Sequence, residues 1–259
     1  MIHMNNTMKN AIKLALVLLP FAAVGGFFTG RYLFATLDAD MQQMVLEQLG
    51  SVEVLAIVSM VQSVMYAFVC AILGYLLAEK TGLLKSFTIK PNMFVKAVVI
   101  SVVCGVLFAL DYWIFGALSP EVAASYESGI IIRSMDNWIA SVFYGGIVEE
   151  LLLRFFLMSL VALVIWKGFF KKSKKEELPV KVFVIANAVC AFVFAAGHLP
   201  ATISTFGELS LVIIFRCFLL NGVFGFVFGE LYRKYGIQYA MIGHMGTHIV
   251  SKLIWLILV

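Results

Sequence analysis

The chain has 259 residues, 62% of them hydrophobic and 13% charged, with a mean hydropathy of +0.99. A soluble domain carries charge on roughly a quarter of its residues and could not cover so much apolar surface. The formal net charge of +4 does not point to nucleic acid, because most Lys and Arg stand in short clusters between apolar runs, where they report membrane topology.

A helix needs about 20 apolar residues to cross the roughly 30 Å hydrocarbon layer. Runs of that length fall at Ile12–Leu33, Val54–Ala78, Phe94–Phe115, Trp138–Trp166, Val180–His198, Leu209–Tyr232 and Tyr239–Leu258. They predict an all-α, polytopic transmembrane helical bundle of about seven spans. The length of the fourth run also allows an eighth segment. The first run follows Lys9 and Lys13 as a signal peptide would, but it is long and lacks a small-residue cleavage site, so it reads as a retained span. Pro20 and Gly25-Gly26 are expected to bend it.

With the N-terminus inside, Lys9, Lys13, Lys80, Lys85, Lys90, the Lys167–Lys181 cluster, Arg233 and Lys234 all fall on one side. The acidic loops, with Asp38, Asp111, Asp136 and Glu208 among them, fall on the other. The positive-inside rule then sets the N-terminus in the cytoplasm, and a bacterial cell membrane is the expected location. Lys171–Glu177 reads as a solvated loop beside lipid head groups. Cys70, Cys104, Cys190 and Cys217 lie inside apolar runs without metal-type spacing and suggest neither disulfides nor a zinc knuckle.

Ionisable groups at membrane depth are costly and mark function by default. Glu149 and Glu150 sit mid-run, with Arg154 four residues after Glu150, a spacing that puts Glu150 and Arg154 on one helical face to offset each other's charge. Glu149 points about 100° away and is left free. Apart from His3, the histidines fall late. His198 closes the run Phe194–His198, where Pro200 is expected to end the helix, and His244 and His248, four apart, face the same way from the last span. Arg216 is expected either to pair with a carboxylate or to snorkel. Lys252 is expected to snorkel, Glu230 to lie at the interface, and Gly222, Gly225 and Gly229 to give close helix packing.

Together these residues resemble the CAAX protease and bacteriocin-processing (CPBP, or Abi) family, whose pattern is EExxxR, then FxxxH, then HxxxN or HxxxD. Glu149–Arg154 matches the first motif, Phe194–His198 the second, and His244–His248 the third at its first position only. The resemblance covers about 138–259, a catalytic region, and leaves 1–137 as transmembrane scaffold. It implies an intramembrane endopeptidase acting on a membrane-anchored peptide or protein within the lipid bilayer, with no cofactor. Glu149 would be the base, with His198 polarising the same water and His244 facing the oxyanion. Glu150 and Arg154 would hold the helix in register, and His248 would stand where the family has Asn or Asp. The residue types suit amide hydrolysis in their own right. Zinc is the alternative, since Glu149, His198, His244 and His248 are all ligand types and an i, i+4 histidine pair is a zinc arrangement, although HExxH is absent. A non-catalytic immunity or interaction protein, or a proton-relaying carrier, is the rival class.

Overall fold

The computed structural model describes residues 6–259, so His3 lies outside the described residues. Helix α1 (Asn6–Thr36) leads through α2 (Ala39–Leu49) to α3 (Val52–Thr81). Each junction carries its own stop and start signal. The Asp38 carboxylate accepts from the Met41 N–H at 2.8 Å to open α2, Gly50 at φ 82° closes it, and the Ser51 hydroxyl then caps α3. Pro91 opens α4 (Pro91–Ala109), where its missing N–H costs nothing. The short α5 (Asp111–Phe115), α6 (Pro120–Glu127) and α7 (Met135–Ile139) follow. Helix α7 passes without a break into a π-helical run, Ala140–Met158, and then into α8 (Ser159–Phe169). The chain ends with α9 (Val180–Gly197), α10 (Leu199–Phe206), α11 (Leu211–Cys217), a π turn at Phe218–Val223, α12 (Phe224–Tyr235) and α13 (Ile237–Leu258).

Among the described residues, six helical stretches are long and apolar enough to cross a membrane: Asn6–Thr36, Val52–Thr81, Pro91–Phe115, Val180–Phe206, Leu211–Tyr235 and Ile237–Leu258. The remaining expected span is the continuous helix over 135–169, interrupted chemically by Glu149, Glu150 and Arg154. The protein is therefore an all-α, multi-pass membrane bundle of about seven spans. The fourth run forms one continuous helix over 135–169, so it supplies no eighth segment.

The π-helical run sits at the centre of the bundle because small residues let other helices approach it. A Cβ at Gly25 of α1 would press on the Phe143–Tyr144 backbone, and one at Gly74 of α3 would press on Phe155. Gly26 and Gly30 lie in the same way against Ser63 and Ser59 of α3. Close backbone contact of this kind replaces the hydrophobic effect as the source of helix association in lipid. The glycines expected to bend α1 are thus its contact points, and α1 runs unbroken through Pro20.

A second polar cluster ties α5, α6 and α11 together. Asp111 accepts from Arg216 Nε at 2.7 Å, from Arg216 Nη2, and from the Tyr126 hydroxyl at 2.6 Å. The sequence placed Asp111 in a loop, yet it is 1% exposed, because the turn at Leu110 swings α5 inward and delivers the carboxylate to Arg216. Trp255 of α13 packs on Tyr126 at 4.9 Å and donates its indole N–H to the Ala109 carbonyl at 2.8 Å. Arg216 therefore pairs and does not snorkel.

Candidate active site

The three sequence motifs meet where the π-helical run, α9 and α13 face one another. Glu150 is fully buried, and Arg154 is 1% exposed. Their ion pair closes at 3.0 Å, though without the N–H alignment of a hydrogen bond. The Arg154 guanidinium also lies over Phe194 at 4.4 Å and Phe228 at 5.9 Å, so aromatic faces supply part of the stabilisation that water would otherwise give. Gly225 leaves room for this group, since a Cβ there would sit 2.8 Å from Arg154 Nη2. Gly229 similarly makes room for Asn187, which donates to the Phe226 carbonyl at 2.9 Å.

Glu150 does more than pair with Arg154. Its Oε1 lies 2.8 Å from His244 Nδ1, a long-range contact that helical spacing could not reveal. A carboxylate only accepts, so Nδ1 carries a proton and Nε2 is turned to the other side of the ring. That nitrogen is 3.2 Å from His248 Nε2, so the two imidazoles share one N–H between them. Phe228 stacks on His244 at 4.6 Å and fixes the plane of the ring. His248 thus takes part in the cluster although it departs from the family's Asn or Asp.

Glu149 and His198 form the more open half. Glu149 Oε1 is 3.8 Å from His198 Nε2, and their side chains are 17% and 29% exposed. The spacing of Phe194 and His198 has a plain physical reason. His198 caps α9, and its Nδ1 is 2.8 Å from the Phe194 carbonyl one turn back. Since a carbonyl only accepts, Nδ1 holds the proton and a neutral His198 offers the lone pair of Nε2 toward Glu149. Pro200 does not so much end α9 as lie in the first turn of α10, where the chain changes direction.

Gly145 shows what these groups enclose. A methyl group at its Cβ position would be 3.5 Å from His244 Nε2, 3.5 Å from His248 Nε2 and 3.7 Å from Glu149 Oε2. Three polar atoms from two helices thus surround a space about the size of one small group. Gly145 was visible in the sequence only as one of a glycine pair; its role depends on α13, about 100 residues away. Gly145→Ala is expected to fit without a clash and to raise stability by about 0.5–1 kcal/mol, because Gly is a poor helix former. It is nevertheless expected to lower activity about 10²-fold by filling the space that Glu149, His244 and His248 face. Thermal unfolding and a cleavage assay on the same preparation would separate the two signs; a drop in both would make Gly145 a packing residue.

Of the remaining polar residues, Glu230 pairs with Arg233 at 2.7 Å and Lys234 at 3.3 Å. Asn221 donates to the Cys217 carbonyl at 2.9 Å beside the π turn. Lys252 does not snorkel, for it is 2% exposed. Helix α13 continues to Leu258, which leaves Lys252 well inside the last span.

Residues 133–250 match the family model described as Rce1-like, type II CAAX prenyl endopeptidase Rce1-like. Comparison with curated proteins and with solved structures found no match.

Proposed function

We propose, from the premise that residues 133–250 are a domain of the CAAX protease family and that the chain is a membrane protease, that Glu149 drives hydrolysis of a peptide bond in a membrane-anchored peptide or protein. The observation that carries this reading is the convergence of Glu149 Oε2, His244 Nε2 and His248 Nε2 on the space at Gly145. Glu149 and His198 both offer acceptors and so can flank one water. As its oxygen bonds to the scissile carbonyl carbon, a proton passes to Glu149 and the carbonyl electron pair moves to oxygen. The His248 Nε2–H, which otherwise donates to His244 Nε2, then turns to the oxyanion. When the tetrahedral species collapses, the C–N bond breaks and the leaving amine takes the proton back from Glu149. Glu150 and Arg154 act through His244, as positioning residues.

Access from the α3 side suits a membrane-borne substrate. In α3, Gln62 donates to the Tyr66 hydroxyl at 2.7 Å, and both residues are exposed at mid-span. Exposed polar side chains at that depth favour a wetted cleft over plain lipid contact. The spans before residue 138 serve in this scheme as scaffold and as walls of that cleft. The lysine clusters support a cytoplasmic N-terminus by the positive-inside rule.

The test is cleavage of a lipid-tethered peptide library by the purified chain in proteoliposomes, with products identified by mass spectrometry. Cut peptides are expected; a folded protein that cuts none would favour an immunity or transport role. Zinc hydrolysis would need three protein ligands at about 2.0–2.2 Å from one centre. Among the described residues, no group of three His, Cys, Asp or Glu side chains is arranged to hold a metal ion, which supports the metal-free reading. Dialysis against a strong chelator is expected to change activity by less than about twofold, whereas a loss of about tenfold or more that added zinc restores would establish a metal mechanism.

A further inference from the structure

Gln62 and Tyr66 are a polar pair to which the catalytic scheme gives no partner. They stand one turn apart on the open side of α3, and Tyr66 is 40% exposed. Val58, Val61, Met65 and Val69 around them are exposed too, but apolar, as lipid contact requires. The Gln62 amide donates to the Tyr66 hydroxyl at 2.7 Å, and among the described residues neither side chain makes a further hydrogen bond. The Tyr66 O–H is therefore a free donor and Gln62 Oε1 a free acceptor. Lipid tails answer neither, and leaving polar groups unanswered in hydrocarbon is expensive.

The pair stands level with the hydrolytic centre. As the second and fourth crossings, α3 and the π-helical run point the same way, and Gly74 of α3 meets Phe155 directly. From that contact, Tyr66 lies eight residues back along one helix and Glu149 six back along the other. Tyr144 lies between them: its backbone packs on Gly25 of α1, and its phenol interacts electrostatically with the Glu149 carboxylate and the Tyr66 hydroxyl. The π winding is what turns Tyr144 to the Glu149 side. In an α-helix, residues five apart differ by about 140° around the axis, whereas i→i+5 bonding sets them about one turn apart.

We propose that Gln62 and Tyr66 form a docking edge for the unwound backbone of the substrate as it enters from the bilayer, with Tyr66 donating to a peptide carbonyl and Gln62 Oε1 accepting from a peptide N–H. A bond inside a membrane helix is out of reach until its segment unwinds, and unwinding frees N–H and C=O groups at a depth where water is absent. One donor beside one acceptor is the complement of that backbone. It asks for no particular side chain, so the pair selects unwound chain over sequence. The polar groups of the lipids themselves lie at the two interfaces, not at mid-span. This inference rests on the protease reading and deepens its account of access from the α3 side.

The experiment uses the full chain in proteoliposomes and a membrane-anchored peptide, made as a parent and as a set in which one backbone amide at a time is replaced by an ester, which removes a single N–H. With the parent, the double variant Gln62→Leu with Tyr66→Phe is expected to raise KM about tenfold while kcat moves less than about twofold. One ester position near the cut should cost the wild type about threefold to tenfold in KM, and Gln62→Leu should erase that penalty. The unfolding temperature in detergent should not fall, since the double variant places apolar groups on a lipid-facing surface. An unchanged KM, or an ester penalty equal in wild type and Gln62→Leu at every position, would overturn the proposal. A double variant that changes oligomeric state in place of KM would assign the pair to a contact between copies and overturn it as well. In the binding arm, Glu149→Gln protein should hold the parent peptide about tenfold more tightly than the same protein with Gln62→Leu and Tyr66→Phe added. If no peptide is cut, the protease reading fails, while this binding difference still decides the fate of the pair.

Discussion

Replacing Glu149 with Gln is expected to reduce cleavage by about 10³-fold or more while the protein folds and inserts normally. The magnitude follows from losing the acceptor for the water proton, since general base catalysis contributes about 10²–10⁴-fold. The substitution keeps side-chain volume and polarity, and the side chain is partly open, with one long contact of 3.8 Å to His198. Stability should therefore move by less than about 1 kcal/mol. The neighbouring Glu150 provides the internal control, because it is fully buried and holds both Arg154 and His244. Activity retained by Glu149→Gln in a reconstituted assay would remove the glutamate from the chemistry altogether. A fall in folded yield equal to that of a Glu150 variant would make Glu149 structural.

Much of this arrangement is legible in the residues themselves, for reasons that also explain what is not. Span number follows from apolar run length, because hydrocarbon thickness fixes how many residues a crossing needs. Glu149, Glu150 and Arg154 stand out since charge at that depth is rare, and helical spacing alone pairs Glu150 with Arg154. Spacing is silent on partners from other helices. The bond from Glu150 to His244 joins residues 94 apart, and the link from Arg216 to Asp111 joins residues 105 apart. The π winding of Ala140–Met158 leaves no mark in the apolar pattern, since leucine and phenylalanine occur all around that helix. Lys252 misleads for a related reason. Nearness to the chain end suggests an interface, while its burial depends on how α4 and the π-helical run pack along α13.

Arg154→Met is expected to destabilise the protein by about 3–5 kcal/mol, because it leaves the Glu150 carboxylate fully buried with one partner lost. For a chain of this size that corresponds to a fall of roughly 6–20 °C in the apparent unfolding temperature in detergent. His244 still faces Glu150 at 2.8 Å, which places the loss toward the lower part of that range. The double variant Glu150→Gln with Arg154→Met removes both charges and should recover most of the stability, since a neutral buried pair carries no large desolvation penalty. Activity should not recover with it. A Gln amide can accept from His244 Nδ1 and keep the ring oriented, but it has no charge with which to favour a doubly protonated His244, the form that could offer its own Nε2–H to an oxyanion. Stability and turnover thus part company in the double variant. Recovery of both would reduce Glu150 and Arg154 to packing residues, whereas recovery of stability alone would tie the buried pair to the proton held between His244 and His248.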